Sequence, residues 1–216
     1  MSDEAVDFVC GLLARLTPRE GSATGQYFYR WAQAKFGKYW RHADILTALW
    51  AAATLIRPTS YLEIGVHRGR SAAVVGAVCP QCAIYGFDLW IPEYGGASNP
   101  GPAFVQGELR AVGHRGSVAL VSGDSRKTLP AFLRQHPDLY FDLITIDGDK
   151  SVLGVATDFA NALPRLKVGG VLVFDDLPAV PVLGRVWQRV IRRDRRYVSW
   201  EFGHGQLGVA VAVRLG

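Results

Sequence analysis

The chain is poor in the features that mark secreted, membrane-spanning or metal-stapled proteins. It has three cysteines in 216 residues, no internal repeat and no low-complexity tract. No apolar run approaches the roughly 20 residues that cross a bilayer. The first residues, MSDEAVDFVCGL, are acidic and carry no basic region ahead of an apolar core, so they do not read as a signal peptide. A soluble, cytoplasmic protein without a membrane partner is the expectation. Three thiols suit a reducing compartment. Their only paired spacing, CPQC at Cys79 and Cys82, falls between a helical pattern and a strand, where a redox pair does not belong. A zinc site there would need two further ligands, so these read as structural thiols.

The GxGxxG fingerprint of a dinucleotide-binding turn is also missing. The composition itself, 49% hydrophobic and 20% charged, is ordinary for one well-buried domain. From about Tyr61, apolar strand-like runs alternate with helical patterns, the signature of a parallel sheet covered on both faces. The predicted strands are SYLEIGV, AIYGFDL, VALVSGD, FDLITID, GGVLVFDD, YVSWEF and LGVAVAVRL. The first five are far enough apart for right-handed crossovers. The last two are joined only by GHGQ and must form an antiparallel hairpin at one edge.

Residues 1–57 read as a helical segment packed on a core that occupies 58–216. Helices are expected over 3–15, in the aromatic-rich GQYFYRWAQAKFGKYW, and over 43–56, where Arg57-Pro58 stops the last one. Tyr27, Tyr29, Trp31, Tyr39 and Trp40 line an acceptor pocket, bury a homodimer contact or simply pack in the core. The Gly- and Pro-rich stretch IPEYGGASNPGP, residues 91–102, leaves the second strand at its carboxyl end, where either a lid or a plain connector would sit.

The chemistry-bearing residues gather at strand ends. LEIGVHRGRS puts Glu63, Gly65, Gly69 and Ser71 across the first strand-to-helix turn. There Gly65 permits a sharp bend, Gly69 permits close approach of a ligand, and the next helix offers free N–H groups to an anion. Asp88 ends the second strand, the position from which an acid takes both hydroxyls of a ribose. Asp124 and Ser125 follow the third and are placed to meet an adenine edge, although Asp124 equally suits a helix cap. DLITIDGDKS ends the fourth strand in Asp147, Asp149 and Lys150, and GGVLVFDD ends the fifth in Asp175 and Asp176. Neighbouring ends carrying three carboxylates form a hard, oxygen-only site suited to Mg²⁺ or another divalent cation.

On these residues the chain resembles the class I S-adenosylmethionine-dependent methyltransferases over roughly residues 37–213. Within them it is most similar to the metal-dependent O-methyltransferases of the catechol and caffeoyl-CoA type. The likeness rests on E-x-G-x-x-x-G-x-S at Glu63 to Ser71, D-x-x-K at Asp147 to Lys150, and the closing pair Asp175-Asp176. It implies a single-domain Rossmann-like α/β fold and O-methyl transfer to a small-molecule acceptor, aromatic or sugar-like. It further implies that Ser71 holds the methionine carboxylate, Asp88 the ribose and Ser125 the adenine. Asp147, Asp175 and Asp176 would bind the cation, and Lys150 would act as base. Two departures stand out: that family usually has Asn where this chain has Asp176, and a related branch has His where it has Lys150.

A dication about 5 Å from Lys150 would disfavour its ammonium by roughly 7 kcal/mol at an effective dielectric of about 20, against which three aspartates act. A nucleic-acid methyltransferase is the first rival, suggested by the net charge of +5 and the run RRDRR at Arg192 to Arg196. DGDK offers no Asn/Asp-Pro-Pro-aromatic clamp for a base, so nucleic acid is the less favoured partner. A nicotinamide-dependent dehydrogenase lacks its fingerprint here. A non-catalytic S-adenosylmethionine-binding domain is the third rival.

Overall fold

Among the described residues, seven strands form where the apolar runs lie: β1 (Ser60–Ile64), β2 (Ala83–Asp88), β3 (Val118–Ser122), β4 (Phe141–Ile146), β5 (Leu166–Asp175), β6 (Tyr197–His204) and β7 (Leu207–Arg214). The structure is a computed structural model that describes residues 2–18, 22–37, 43–93, 98–177, 181–204 and 207–216. The strands make one sheet in the order β3-β2-β1-β4-β5-β7-β6. The first five are parallel, β7 runs antiparallel beside β5, and β6 pairs antiparallel with β7. The expected C-terminal hairpin therefore closes one edge of the sheet. Order reverses between β1 and β4, and a crevice opens there beyond the carboxyl ends.

Among the described residues, eight α-helices cover the sheet: α1 (Asp3–Arg15), α2 (Ser22–Phe36), α3 (Ile45–Ile56), α4 (Arg70–Val78), α5 (Pro102–Ala111), α6 (Ser125–Gln135), α7 (Val152–Ala162) and α8 (Pro181–Trp187), the last continued by a π-helical turn over Gln188–Arg192. Alternate strand residues face opposite layers. Tyr61, Ile84, Leu143 and Val173 join Leu12 of α1, Leu49 of α3 and Val74 of α4 in one core. Leu62, Ile144 and Leu172 join Leu129 of α6, Phe159 of α7 and Trp187 in the other. In that second layer Phe174 and Trp187 stack at 5.8 Å between ring centres.

Local signals set most boundaries. The α3 helix starts two residues later than expected, because Asp44 and Thr47 form a reciprocal cap. It ends at Arg57, which adopts a left-handed conformation before Pro58. The β5 strand starts at Leu166, ahead of the expected Gly169, and its register with β4 shifts between Phe141 and Leu143. Gly169, at φ 79°, lies inside that irregularity. Of the aromatic group, Tyr29 is buried and its hydroxyl donates to Asp44, while Tyr27 and Trp31 are exposed. Tyr39 and Trp40 lie outside the described residues, as do 94–97 of the 91–102 stretch.

All three cysteines are free and buried. Burial pushes the Cys82 thiol up to about 12, the character of an inert, structural sulfur. The arginines of RRDRR are solvent-exposed, with Arg196 paired to Asp194 at 2.6 Å and Arg192 to Glu201 at 3.6 Å. Among the described residues, no helix is long and apolar enough to cross a membrane.

Candidate active site

A cavity of about 480 Å³ opens at the carboxyl edge of β1 to β5. The turn from β1 to α4 forms its floor. Gly65 sits at φ 89°, and a Cβ built on it would collide with the carbonyl of Asp147, so only glycine lets β1 and β4 end this close together. The Gly65 N–H donates to Phe87 and the Asp147 N–H to Ile64, which locks three strand ends in register. Gly69, at φ 72°, starts α4, where a side chain would strike Val105.

Asp88 projects into the cavity from β2. Its carboxylate accepts from the His67 N–H at 2.7 Å and the Trp90 N–H at 2.6 Å, and the Asn99 amide lies 3.4 Å away. Two backbone donors thus orient it toward the space a nucleoside would fill. Asn99 and Ile91, from the two described ends of the 91–102 stretch, line the same cavity. Buried Arg68 anchors that stretch: it donates to the Ser98 carbonyl at 3.1 Å and hydroxyl at 2.9 Å, and its guanidinium lies 4.6 Å from the Phe104 ring centre. Nothing in the sequence marked Arg68 and Asn99 beyond their positions in a glycine-rich turn and a long loop.

Asp147, Asp175 and Asp176 each bring one carboxylate oxygen to within 4.8 Å of the others. Consecutive strand residues normally face opposite sides, yet Asp175 and Asp176 share one space. The cause is Asp176, whose φ of 59° turns the chain left-handed as β5 ends. Lys150 bridges the cluster, its Nζ 2.6 Å from Asp147 and 3.0 Å from Asp176. Burial and the neighbouring carboxylates raise Asp175, and burial raises Asp147 against the pull of Lys150. Burial alone would lower the Lys150 ammonium, but Asp147 and Asp176 outweigh it and its pKa is raised. Three crowded acids, with Asp147 and Asp175 raised, form a donor set that favours an added cation. Three hard oxygens fit Mg²⁺ or a similar dication, which would compete with the ammonium.

The cavity wall also carries Asp124, Ser125, Asp149 and Ser151. Asp124 caps α6 through the Arg126 N–H and grips the Arg126 guanidinium at 2.9 Å, which lowers its pKa. Glu63, Gly69 and Ser71 do not line the cavity. Ser71 points inward and its hydroxyl donates to Glu63, which has no exposed surface. The Ser71 hydroxyl is thereby spent on a buried acid. Burial pushes Glu63 up to about 8, and its second oxygen has no partner among the described residues. Tyr27, Tyr29 and Trp31 lie away from the cavity as well.

Comparison with known proteins bears on the family and the fold. A family model described as a methyltransferase domain matches residues 62–177. No curated protein matches the sequence. Among solved structures, the chain is similar to the O-methyltransferase TomG from Streptomyces achromogenes, involved in tomaymycin synthesis and solved with SAM. Identity is 18%, the TM-score is 0.65, and 100% of this chain covers 92% of that one. It is also similar to CalS11, a TDP-rhamnose 3'-O-methyltransferase of calicheamicin biosynthesis, at 22% identity and TM-score 0.61, with 99% and 94% covered. An O-methyltransferase from Bacillus cereus in complex with SAH is 16% identical at TM-score 0.64, with 99% and 92% covered.

Proposed function

The chain belongs to the methyltransferase-domain family and is a class I, S-adenosylmethionine-dependent methyltransferase; from that premise we propose that it methylates a hydroxyl oxygen of a small molecule held beside a divalent cation. One observation carries the reading: the acidic cluster of Asp147, Asp175 and Asp176 lines the same cavity as Asp88. A nucleoside site and a hard-cation site in one space suit transfer to an oxygen that needs activation. The similar proteins named O-methyltransferases support it, and CalS11 and TomG make sugar-like and natural-product acceptors the first to try.

Asp147, Asp175 and Asp176 would hold the dication, and Asp88 the ribose hydroxyls. When bound, the dication supplies Lewis acidity that lowers the pKa of the acceptor hydroxyl. The cofactor supplies an electrophilic methyl group. Lys150 is the proposed base, on condition that its ammonium is displaced from Asp147 and Asp176 and gives up its proton. Asp149 is the second candidate because it needs no displacement: its carboxylate lines the cavity and is held by the Ser151 N–H at 2.8 Å and hydroxyl at 2.9 Å.

The test is transfer of a labelled methyl group from S-adenosylmethionine to a panel of phenols, sugar nucleotides and RNA, with and without chelator. Transfer to a hydroxyl that stops in chelator and returns with Mg²⁺ is the expected result. Undiminished turnover in excess chelator would remove the cation from the reaction, and transfer to RNA alone would overturn the small-molecule reading.

A further inference from the structure

Asp158 lies in the middle of α7 with no exposed surface, between apolar Val155 and Phe159. Nothing in the proposed chemistry uses it, and a buried acid without a purpose is costly. Its Oδ1 accepts from the Ser125 hydroxyl at 2.8 Å. Its Oδ2 has no partner among the described residues and faces the backbone of Gly148, where an added Cβ would lie 3.2 Å from it. Ser125 and Gly148 both line the cavity. The acid therefore stands directly behind the wall that the nucleoside would meet.

A serine hydroxyl has one hydrogen and two lone pairs, whereas an ionised carboxylate can only accept. Burial lifts Asp158 to about 6, which leaves it mostly ionised at neutral pH. The Ser125 hydrogen is then committed to Asp158, and toward the cavity Ser125 offers only lone pairs. Resting on the S-adenosylmethionine reading above, we propose that Asp158 is a positioning residue for cofactor specificity: by taking the Ser125 hydrogen it makes Ser125 a pure acceptor, which selects a 6-amino purine over a 6-oxo purine. A 6-amino group donates to those lone pairs. A 6-oxo group meets them with lone pairs of its own.

The experiment is calorimetric binding of S-adenosylhomocysteine and S-inosylhomocysteine to the purified full chain. Wild type is expected to prefer the adenosyl compound by about tenfold or more, the scale of one hydrogen bond made or opposed. In Asp158→Leu the branched shape stays but nothing is left to accept the Ser125 hydrogen, which is then free for the cavity, so the preference should fall about tenfold. Ser125→Ala, at the cavity wall, should lose the preference to a similar degree and tests the idea even where the α7 variant folds poorly. An unchanged ratio in folded Asp158→Leu, or a full ratio in Ser125→Ala, overturns the inference while leaving the cofactor assignment standing. Failure of wild type to bind S-adenosylhomocysteine overturns both.

Discussion

Glu63 carries a charge-bearing group where the fold has no water to give it. Its folded pKa of about 8 exceeds the ordinary 4.5, because burial disfavours the carboxylate more than Ser71 favours it. Between those values the folded chain binds a proton that the unfolded chain has released, so stability falls as pH rises, by about 1.4 kcal/mol per unit at most. Glu63→Gln keeps an acceptor for Ser71 and cannot titrate. Denaturant unfolding of both proteins should therefore give a stability difference that moves by a few kcal/mol in favour of the variant between about pH 4.5 and 8. A constant difference across that window would mean that Glu63 does not change protonation there. At the cavity wall the contrast is between Lys150 and Asp149. Loss of the group that takes the proton should lower kcat by about 10² to 10⁴. Lys150→Ala and Asp149→Asn, assayed side by side with S-adenosylhomocysteine affinity unchanged, identify the base by which of them suffers that loss and which loses less than about threefold.

At the scale of elements, the end of the sheet opposite the cavity is held by one carboxylate. Asp142, the second residue of β4, accepts from the Thr59 N–H at 2.9 Å, the Thr59 hydroxyl at 2.7 Å and the Ser60 N–H at 3.0 Å, and pairs with Lys167 of β5 at 2.7 Å. It therefore ties the starts of β1, β4 and β5 together. Burial would raise its pKa, but Lys167 and Thr59 outweigh it and hold it at about 2. A depressed acid stabilises above its ordinary 3.8 and loses that contribution as pH falls through 2, so Asp142→Ala should cost about 2 kcal/mol at neutral pH and little near pH 2. Equal cost at both pH values would show that packing, not charge, is lost. Most of these elements were legible in the sequence, since strands buried on both faces read as unbroken apolar runs. The early start of β5 was not. Its Lys167-Val168-Gly169-Gly170 segment breaks the run, and only pairing with β4 makes it a bulged strand. Asp124 shows the same limit: a residue that caps α6 and lines a cavity carries one letter for two roles.

Across the whole molecule the candidate site divides along the sheet: the ends of β1 to β3 face the half of the cavity proposed for the nucleoside, and the ends of β4 and β5 carry the acidic cluster of Asp147, Asp175 and Asp176. The acids stood out in the sequence because each follows an apolar run. The grip of Arg68 on Ser98 and the bond from Ser125 to Asp158 did not, because each joins segments that only the fold brings together, and the inward turn of Ser71 onto Glu63 did not, because the letters of one turn do not say which side chains face inward. If the two halves bind independently, each ligand should stabilise the chain without the other. A ligand at 100 times its dissociation constant adds about 2.7 kcal/mol, and about 2–4 °C of Tm accompanies each kcal/mol at this size, so each should raise Tm by roughly 5–10 °C. Thermal melts with S-adenosylhomocysteine alone, Mg²⁺ alone and both together measure this directly. Asp88→Ala should abolish the shift from S-adenosylhomocysteine and spare that from Mg²⁺, and Asp175→Ala should do the reverse. A shift from Mg²⁺ that survives in Asp175→Ala would place the cation elsewhere. One that appears only with S-adenosylhomocysteine present would mean that the cofactor completes the cation site, joining two halves that the strand ends hold apart.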